Sequence, residues 1–248
     1  MHPRLRIAVL ECDTPVEKVD QKYGGYRGVF AQLLHESAAA LSQPDPVELD
    51  ISGWDVVTAQ EYPNLDEVDA IVLSGSKHDS FESHPWILKL LDFTKQAYLN
   101  PRVKVFAICF GHQILARALG VKVGRNPKGW ELAVCEVDLS EKGRELFGRE
   151  KLRIHQMHQD IAYGYPDEVV SLGSSPRCAV QGMYIPKKLI SVQGHPEFRE
   201  DIMNELIELR TASGLFSKEL SEDASRRAAL PHDGVAITVA FLKIVLGE

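Results

Sequence analysis

The chain has 248 residues, with 28 Lys plus Arg against 35 Asp plus Glu, a formal net charge of −7, 44% hydrophobic residues and 25% charged ones. This balance excludes wholesale disorder, and an acidic chain without a run of Lys and Arg argues against nucleic acid as a partner. No apolar stretch approaches the roughly 20 residues of a membrane-spanning helix, and the opening MHPRLRIAVLECD turns acidic too soon for a secretory signal.

In chain order, Leu5–Leu10 is a compact apolar run that predicts a strand buried on both faces. Gly28–Ala40 has apolar residues at helical spacing, after a Gly- and charge-rich connection, DTPVEKVDQKYGGY, that is longer than a turn. PVELDISGW and Asp69–Ser74 predict a second and a third strand, Trp86–Leu99 another amphipathic helix, and Val103–Ile108 a fourth strand running straight into the helical GHQILARALG. Strand alternating with helix predicts a parallel sheet with crossover helices. The second half changes character. ELAVCEVDLS, KLRIHQMHQD, EVVSLGSS, RCAVQGMYI and KLISVQGH are short segments divided by turn residues, which predicts antiparallel strands added to the parallel core. A helix over DIMNELIELR, a charged Ser-rich connection and a final helix from about Gly234 to Leu246 complete the chain. No repeat, low-complexity stretch or linker divides it, so one domain over residues 1–248 is expected, in the α/β class with a largely parallel central sheet flanked by helices and an added antiparallel portion.

The segment VKVFAICFGHQILARALG carries the most chemistry. An apolar strand meets Cys109 and a helix begins at once, the strand–turn–helix context of a nucleophile elbow. A sharp turn lifts the side chain clear of the sheet, the helix N-terminus favours thiolate over thiol, and the amide of Phe110 points where an oxyanion forms. A thiolate needs a base. In SVQGHPEF, His195 and Glu197 are two apart and project from one face of an extended backbone, which Pro196 favours. Glu197 then orients one ring nitrogen of His195 and leaves the other free toward Cys109. Ser74-Gly75-Ser76 ends the third strand, at the carboxyl rim where open parallel sheets bind ligands, and Gly75 allows a second amide to approach a substrate oxygen. Singly, each has a plainer reading: a packed strand-end cysteine, a surface His-Pro-Glu turn, an ordinary βα turn. Their joint occurrence is what argues for a site.

In this order LSGSKHDS, AICFGHQILARALG, MHQD and VQGHPEF resemble the class I, triad-type glutamine amidotransferase family, over about residues 70 to 198. Within it, SGSKHDSFESHPWI looks most like the free-standing branch that includes γ-glutamyl peptidases. The resemblance implies a flavodoxin-like fold and a Cys109 nucleophile attacking a γ-glutamyl amide, with His195 as base and acid and Glu197 orienting it. It implies an oxyanion hole from the amides of Ser76 and Phe110 beside Gly75, and glutamyl recognition by Gln113 and by His158-Gln159-Asp160. Ala107 and Ser76-Lys77 depart from the family's frequent glycine before the elbow and Gly-Pro in the oxyanion loop.

The expected activity is hydrolysis of glutamine or a γ-glutamyl peptide through a cysteine thioester, with a small γ-glutamyl compound as substrate. One alternative is a glutaminase subunit feeding ammonia to a separate synthase; another is a non-catalytic regulatory module of the same fold. No cofactor is expected. His155, His158 and His112 have no second cluster at matching spacing, so no metal site is expected either, and Gly24-Gly25 has no phosphate-binding pattern after it. Cys12, Cys135 and Cys178 read as packed thiols, and four scattered cysteines without a CxxC pair suit a reducing, cytoplasmic setting.

Overall fold

The computed structural model describes residues 4–42 and 46–248, so the first three residues of the opening segment lie outside it. The first half follows the expected alternation: β1 (Arg4–Glu11), α1 (Glu17–Tyr23), α2 (Gly25–Ala39), β2 (Glu48–Asp55), β3 (Ala70–Leu73), α3 (Pro85–Leu99), β4 (Lys104–Ile108) and α4 (Phe110–Ala118). Then come β5 (Val123–Arg125), β6 (Glu131–Leu139), α5 (Glu141–Phe147), β7 (Lys151–His158), β8 (Asp160–Ala162), β9 (Val170–Ser174), β10 (Gly182–Ile185), β11 (Leu189–Val192), α6 (Glu200–Ala212), α7 (Lys218–Ala228) and α8 (Gly234–Leu246).

Among the described residues, nine strands form one sheet in the order β2-β1-β3-β4-β11-β10-β9-β6-β7, while β5 and β8 pair separately. The strands from β2 to β11 are parallel to their neighbours and those from β10 to β7 are antiparallel. KLISVQGH therefore belongs to both halves. Its strand β11 runs antiparallel to β10 but parallel to β4, with Val192 opposite Ile108. All four residues of β11 are buried, as befits the interior of a parallel sheet.

Three helices form where the sequence suggested connections. α1 occupies the Gly- and charge-rich stretch, buries only Val19, and ends at Gly24 with φ 71°, so its apolar period is too brief to read. α5 is capped by the Ser140 hydroxyl, which accepts from the Gly143 amide, and stops at Gly148 with φ 66°. α7 fills the Ser-rich connection. The Ser217 hydroxyl caps it, and its buried face is the small-residue stripe Ser221, Ala224 and Ala228, which a search for large apolar residues passes over. KLRIHQMHQD divides at Gln159 into β7 and β8, and only the last part of RCAVQGMYI is strand.

Helices cover both faces of the sheet. On one, α2 and α8 lay Phe30, Leu34 and Phe241 on Ile7, Val9, Phe106 and Ile190; on the other, α3 and α4 bury Ile87, Leu90, Ile114 and Leu115 against Ile71, Leu73 and Val105. Phe106 and Phe241 stack with ring centroids 4.7 Å apart and neither is exposed. Phe241→Ala removes a fully buried ring from the seam between α8 and the sheet, and we expect a loss of about 3–5 kcal/mol in unfolding free energy, measured by urea denaturation.

Candidate active site

Four parallel strands end at one rim, and each leaves a functional group there: Asp13 after β1, Ser74–Ser76 after β3, Cys109 after β4 and His195 after β11. Cys109 sits between β4 and α4 with φ 50° and ψ −104°, a conformation that L-residues rarely adopt. Its amide donates to Val192 O at 2.9 Å and its carbonyl accepts from the Gln113 amide at 3.0 Å. The turn is tight because α4 lies directly on β3. A Cβ at Gly111 would stand 2.5 Å from Leu73 Cβ and 2.6 Å from Leu73 O.

His195 approaches from the far side of the same gap. Its amide donates to His155 O at 2.7 Å, so β7 bends back to grip the chain just beyond β11. Nδ1 is 2.8 Å from Glu197 Oε1, and the two side chains are buried. Phe198 stacks on the ring at 3.9 Å between centroids and 12° between planes. On the ring's edge, a Cβ at residue 75 would come within 2.6 Å of Cε1, so Gly75 is the only residue type that fits without moving the imidazole. Burial pushes the His195 ring down. The neighbouring Cys109 and the hydrogen-bonded Glu197 outweigh that and hold it up at about 10.

The loop after β3 is pinned from both ends. Ser74 Oγ accepts from the Cys12 amide at 2.9 Å and donates to Gly75 O at 3.0 Å; Ser74 O accepts from the Gly111 amide at 3.2 Å. Farther on, the Lys77 amide donates to Asp13 Oδ2 at 2.8 Å and the His78 amide to Ser76 Oγ at 3.1 Å. Among the described residues, no acceptor takes a hydrogen bond from the amide of Ser76 or of Phe110. Both N–H groups thus remain unspent in residues that line one cleft with Cys109.

Cys109, His195, Gly75, Ser76, Phe110, Gln113, His158, Gln159 and Asp160 all line one cleft of about 660 Å³, and Glu197 stands behind His195. The residues expected to recognise substrate are partly committed to one another. Gln113 Nε2 donates to Asp160 O at 2.7 Å and to Gln193 Oε1 at 3.1 Å. His158 Nδ1 donates to Asp160 O at 3.0 Å, and its Nε2 is 3.1 Å from Glu131 Oε2. Arg125 ties the segment to its surroundings, donating to Gln159 Oε1 at 3.2 Å and Asp79 Oδ2 at 3.0 Å, with Nε 3.2 Å from Asp160 Oδ1.

A family model described as glutamine amidotransferase class-I matches residues 26–209. The chain belongs to that family. A glutamine amidotransferase-like protein of Schizosaccharomyces pombe is 34% identical over 97% of this chain and 98% of its own length, and γ-glutamyl peptidase 4 of Arabidopsis thaliana is 34% identical over 84% and 82%. Among solved structures, a glutamine amidotransferase from Thermotoga maritima shares the fold with a TM-score of 0.70 at 20% identity, covering 99% of this chain and 97% of that one.

The remaining thiols of this class-I amidotransferase are shielded. Burial pushes Cys12 and Cys178 up to about 12 and raises Cys135 as well, which leaves them protonated at neutral pH. Among the described residues, no cluster of three or more His, Cys, Asp or Glu side chains is arranged to hold a metal ion. Sequence reasoning missed Arg125, Trp130, Tyr26 and Arg210, which reach the cleft from scattered elements without a motif, and Glu131, which meets it through His158. Asp13 was open to inference, because it follows the carboxyl end of a parallel strand. Burial drives Glu131 upward, but His158, Ser175 and Arg177 outweigh it and hold its carboxyl below the ordinary range.

A methyl group at residue 75 has to displace the His195 ring. Gly75→Ala is therefore expected to slow alkylation of Cys109 by iodoacetamide about 10-fold or more, read by mass spectrometry of the elbow peptide, with the far-UV circular dichroism of the native protein.

Proposed function

We propose that the protein hydrolyses a γ-glutamyl amide bond through a γ-glutamyl thioester on Cys109, with His195 and Glu197 completing a triad. The observation that carries this reading is the His195 ring, hydrogen-bonded through Nδ1 to Glu197 at 2.8 Å, lining one cleft with Cys109 of the strained elbow and raised by that neighbour. The Cys109 sulfur attacks the amide carbon, and the new oxyanion takes hydrogen bonds from the amides of Ser76 and Phe110. His195 gives its proton to the departing nitrogen as the C–N bond breaks. Water then loses a proton to His195 as its oxygen attacks the thioester, the C–S bond breaks, and glutamate leaves. Gln113 and His158 contribute by fixing the Asp160 carbonyl, so that segment 158–160 meets the glutamyl ammonium and carboxylate in a set geometry.

An amino acid or peptide, rather than ammonia, is the leaving group we favour. Support comes from γ-glutamyl peptidases 4 and 3 of Arabidopsis thaliana, 34% and 32% identical to this chain. The protein then acts alone, as one domain, in a reducing compartment such as the cytoplasm that keeps its four cysteines free.

Purified protein is expected to release the amino acid from a γ-glutamyl dipeptide with no second polypeptide present. Glutamine hydrolysis that requires an added synthase would favour the subunit reading instead. Cys109→Ala should abolish turnover and Glu197→Gln should lower kcat about 10²–10⁴-fold. An acid quench during turnover should trap a glutamyl adduct on the elbow peptide, and equal iodoacetamide labelling of all four cysteines would argue for a non-catalytic module.

Burial lifts the Asp160 carboxyl to about 6; Arg125 acts against that rise and Asp79 with it. The group is neutral below that value and charged above it. As pH falls from 7 to 5 the cleft therefore loses a negative charge that a substrate ammonium needs. KM for a γ-glutamyl dipeptide should rise below pH 6 more than kcat falls, and Asp160→Asn should flatten that rise.

A further inference from the structure

One charged side chain in the cleft has no place in the chemistry above. Arg210, near the end of α6, faces the same cavity as Cys109, with its guanidinium carbon 5.7 Å from the ring centroid of Trp130 and 5.9 Å from that of Phe216. Among the described residues, no carboxylate pairs with it and no acceptor takes a hydrogen bond from its guanidinium. Burial acts to lower its pKa, and the groups that oppose this, Cys109, Tyr26 and Asp13, all line the cleft. Asp13 is already matched by Lys77, whose ammonium lies 2.8 Å from Oδ1. A half-buried cation resting against an edge-to-face pair of aromatic rings, without a counter-ion, bears a desolvation cost that an anionic ligand offsets. Its planar fork suits a carboxylate.

The rest of the lining near Arg210 is apolar. Leu206, Leu209 and Leu215 join Phe198 on that wall, and Leu209 and Leu215 remain 49% and 53% exposed at the mouth. The turn after α6 holds this wall in place, since the amides of Leu215 and Phe216 both donate to Arg210 O, at 2.9 and 3.2 Å. At Arg125, by contrast, both signs of charge are present with Asp79 and Asp160. That mixed-charge region suits the zwitterionic head of a glutamyl group, whereas Arg210 with its leucines suits a lone carboxylate on an apolar body.

We propose that Arg210 anchors the carboxylate of the leaving group. The substrate class is then a γ-glutamyl amino acid or short peptide with a free C-terminal carboxylate and an apolar side chain resting on Leu206, Leu209 and Leu215. This rests on the γ-glutamyl reading of the Cys109 site and names what that site releases. Ammonia would leave such an arginine idle.

The test compares γ-glutamyl-leucine with γ-glutamyl-leucinamide, which differ only in the carboxylate. Wild-type protein should prefer the acid by about 10- to 100-fold in kcat/KM, with most of the difference in KM. In Arg210→Met, which keeps a similar apolar stem, the acid-to-amide ratio should collapse toward one, and Arg210→Lys should restore part of it. Equal cleavage of acid and amide by the wild type, or an unchanged ratio in Arg210→Met, overturns the inference. If neither compound is cleaved, it is the hydrolytic reading that fails. Calorimetric titration of both compounds into Cys109→Ala then decides about Arg210 separately: tighter binding of the acid that is lost in the double variant Cys109→Ala, Arg210→Met upholds the anchor, and equal or absent binding sinks it.

Discussion

The site depends on the parallel register between β4 and β11. Val192 lies opposite Ile108, and the Cys109 amide closes the pair by donating to Val192 O at 2.9 Å. With that register fixed, the elbow and the start of the His195 segment leave the sheet side by side. A slip of one residue would turn every β11 side chain to the other face and carry His195 away from the thiol. Two further contacts set how the chain crosses the gap. Gly194 has no room for a side chain, since a Cβ there would stand 2.8 Å from His155 O, and His155 O takes the His195 amide immediately after. The antiparallel half of the sheet therefore has a mechanical role, because its last strand holds the imidazole at the end of a strand from the parallel half.

This arrangement costs free energy that the surroundings must offset. Cys109 holds a positive φ with a full side chain, a state worth on the order of 1–3 kcal/mol, and His195 and Glu197 are a buried pair whose desolvation is itself expensive. Rigidity makes both tolerable. The elbow is clamped between the Val192 carbonyl and the first turn of α4, and the imidazole between Phe198 and the bare backbone of Gly75. Removing the carboxylate would leave the ring short of one of the two neighbours that raise it against burial.

What could be read from the sequence divides by the range of the forces involved. The four strands of the first half, the helix around Trp86 and the last helix have runs of large apolar residues at one period, and their bounds agree with the structure to within a few residues. The tight turn at Cys109 and the pairing of His195 with Glu197 were legible because a strand running straight into a helix and an extended His-x-Glu impose local patterns. α7 was not, since its buried face consists of Ser and Ala, and neither was the parallel partner of β11, because pairing across the sheet leaves no local mark. Arg125 and Arg210 escaped for the same reason: each acts through partners far away in the chain, and an arginine on a helix or a short strand reads as ordinary surface.

α1, hidden in a charged stretch, braces the part of the molecule where these long-range effects meet. Its Lys22 ammonium is 2.7 Å from Asp201 on α6, and its Lys18 amide donates to Glu205 Oε1 at 3.0 Å. Val19 packs into the same cluster as Ile202, Met203, Ile207 and Phe198. α6 is also the continuation of His195-Pro196-Glu197-Phe198, so the ring that stacks on the imidazole and the arginine that faces the cleft belong to one stretch of chain held by α1 and α7. A shift of α6 would move Phe198 and Arg210 together. Phe198, just before α6, Leu209 on it and Leu215, tied to its end through Arg210 O, therefore share one stretch of chain, which joins the wall of the cleft to the ring stacked on His195.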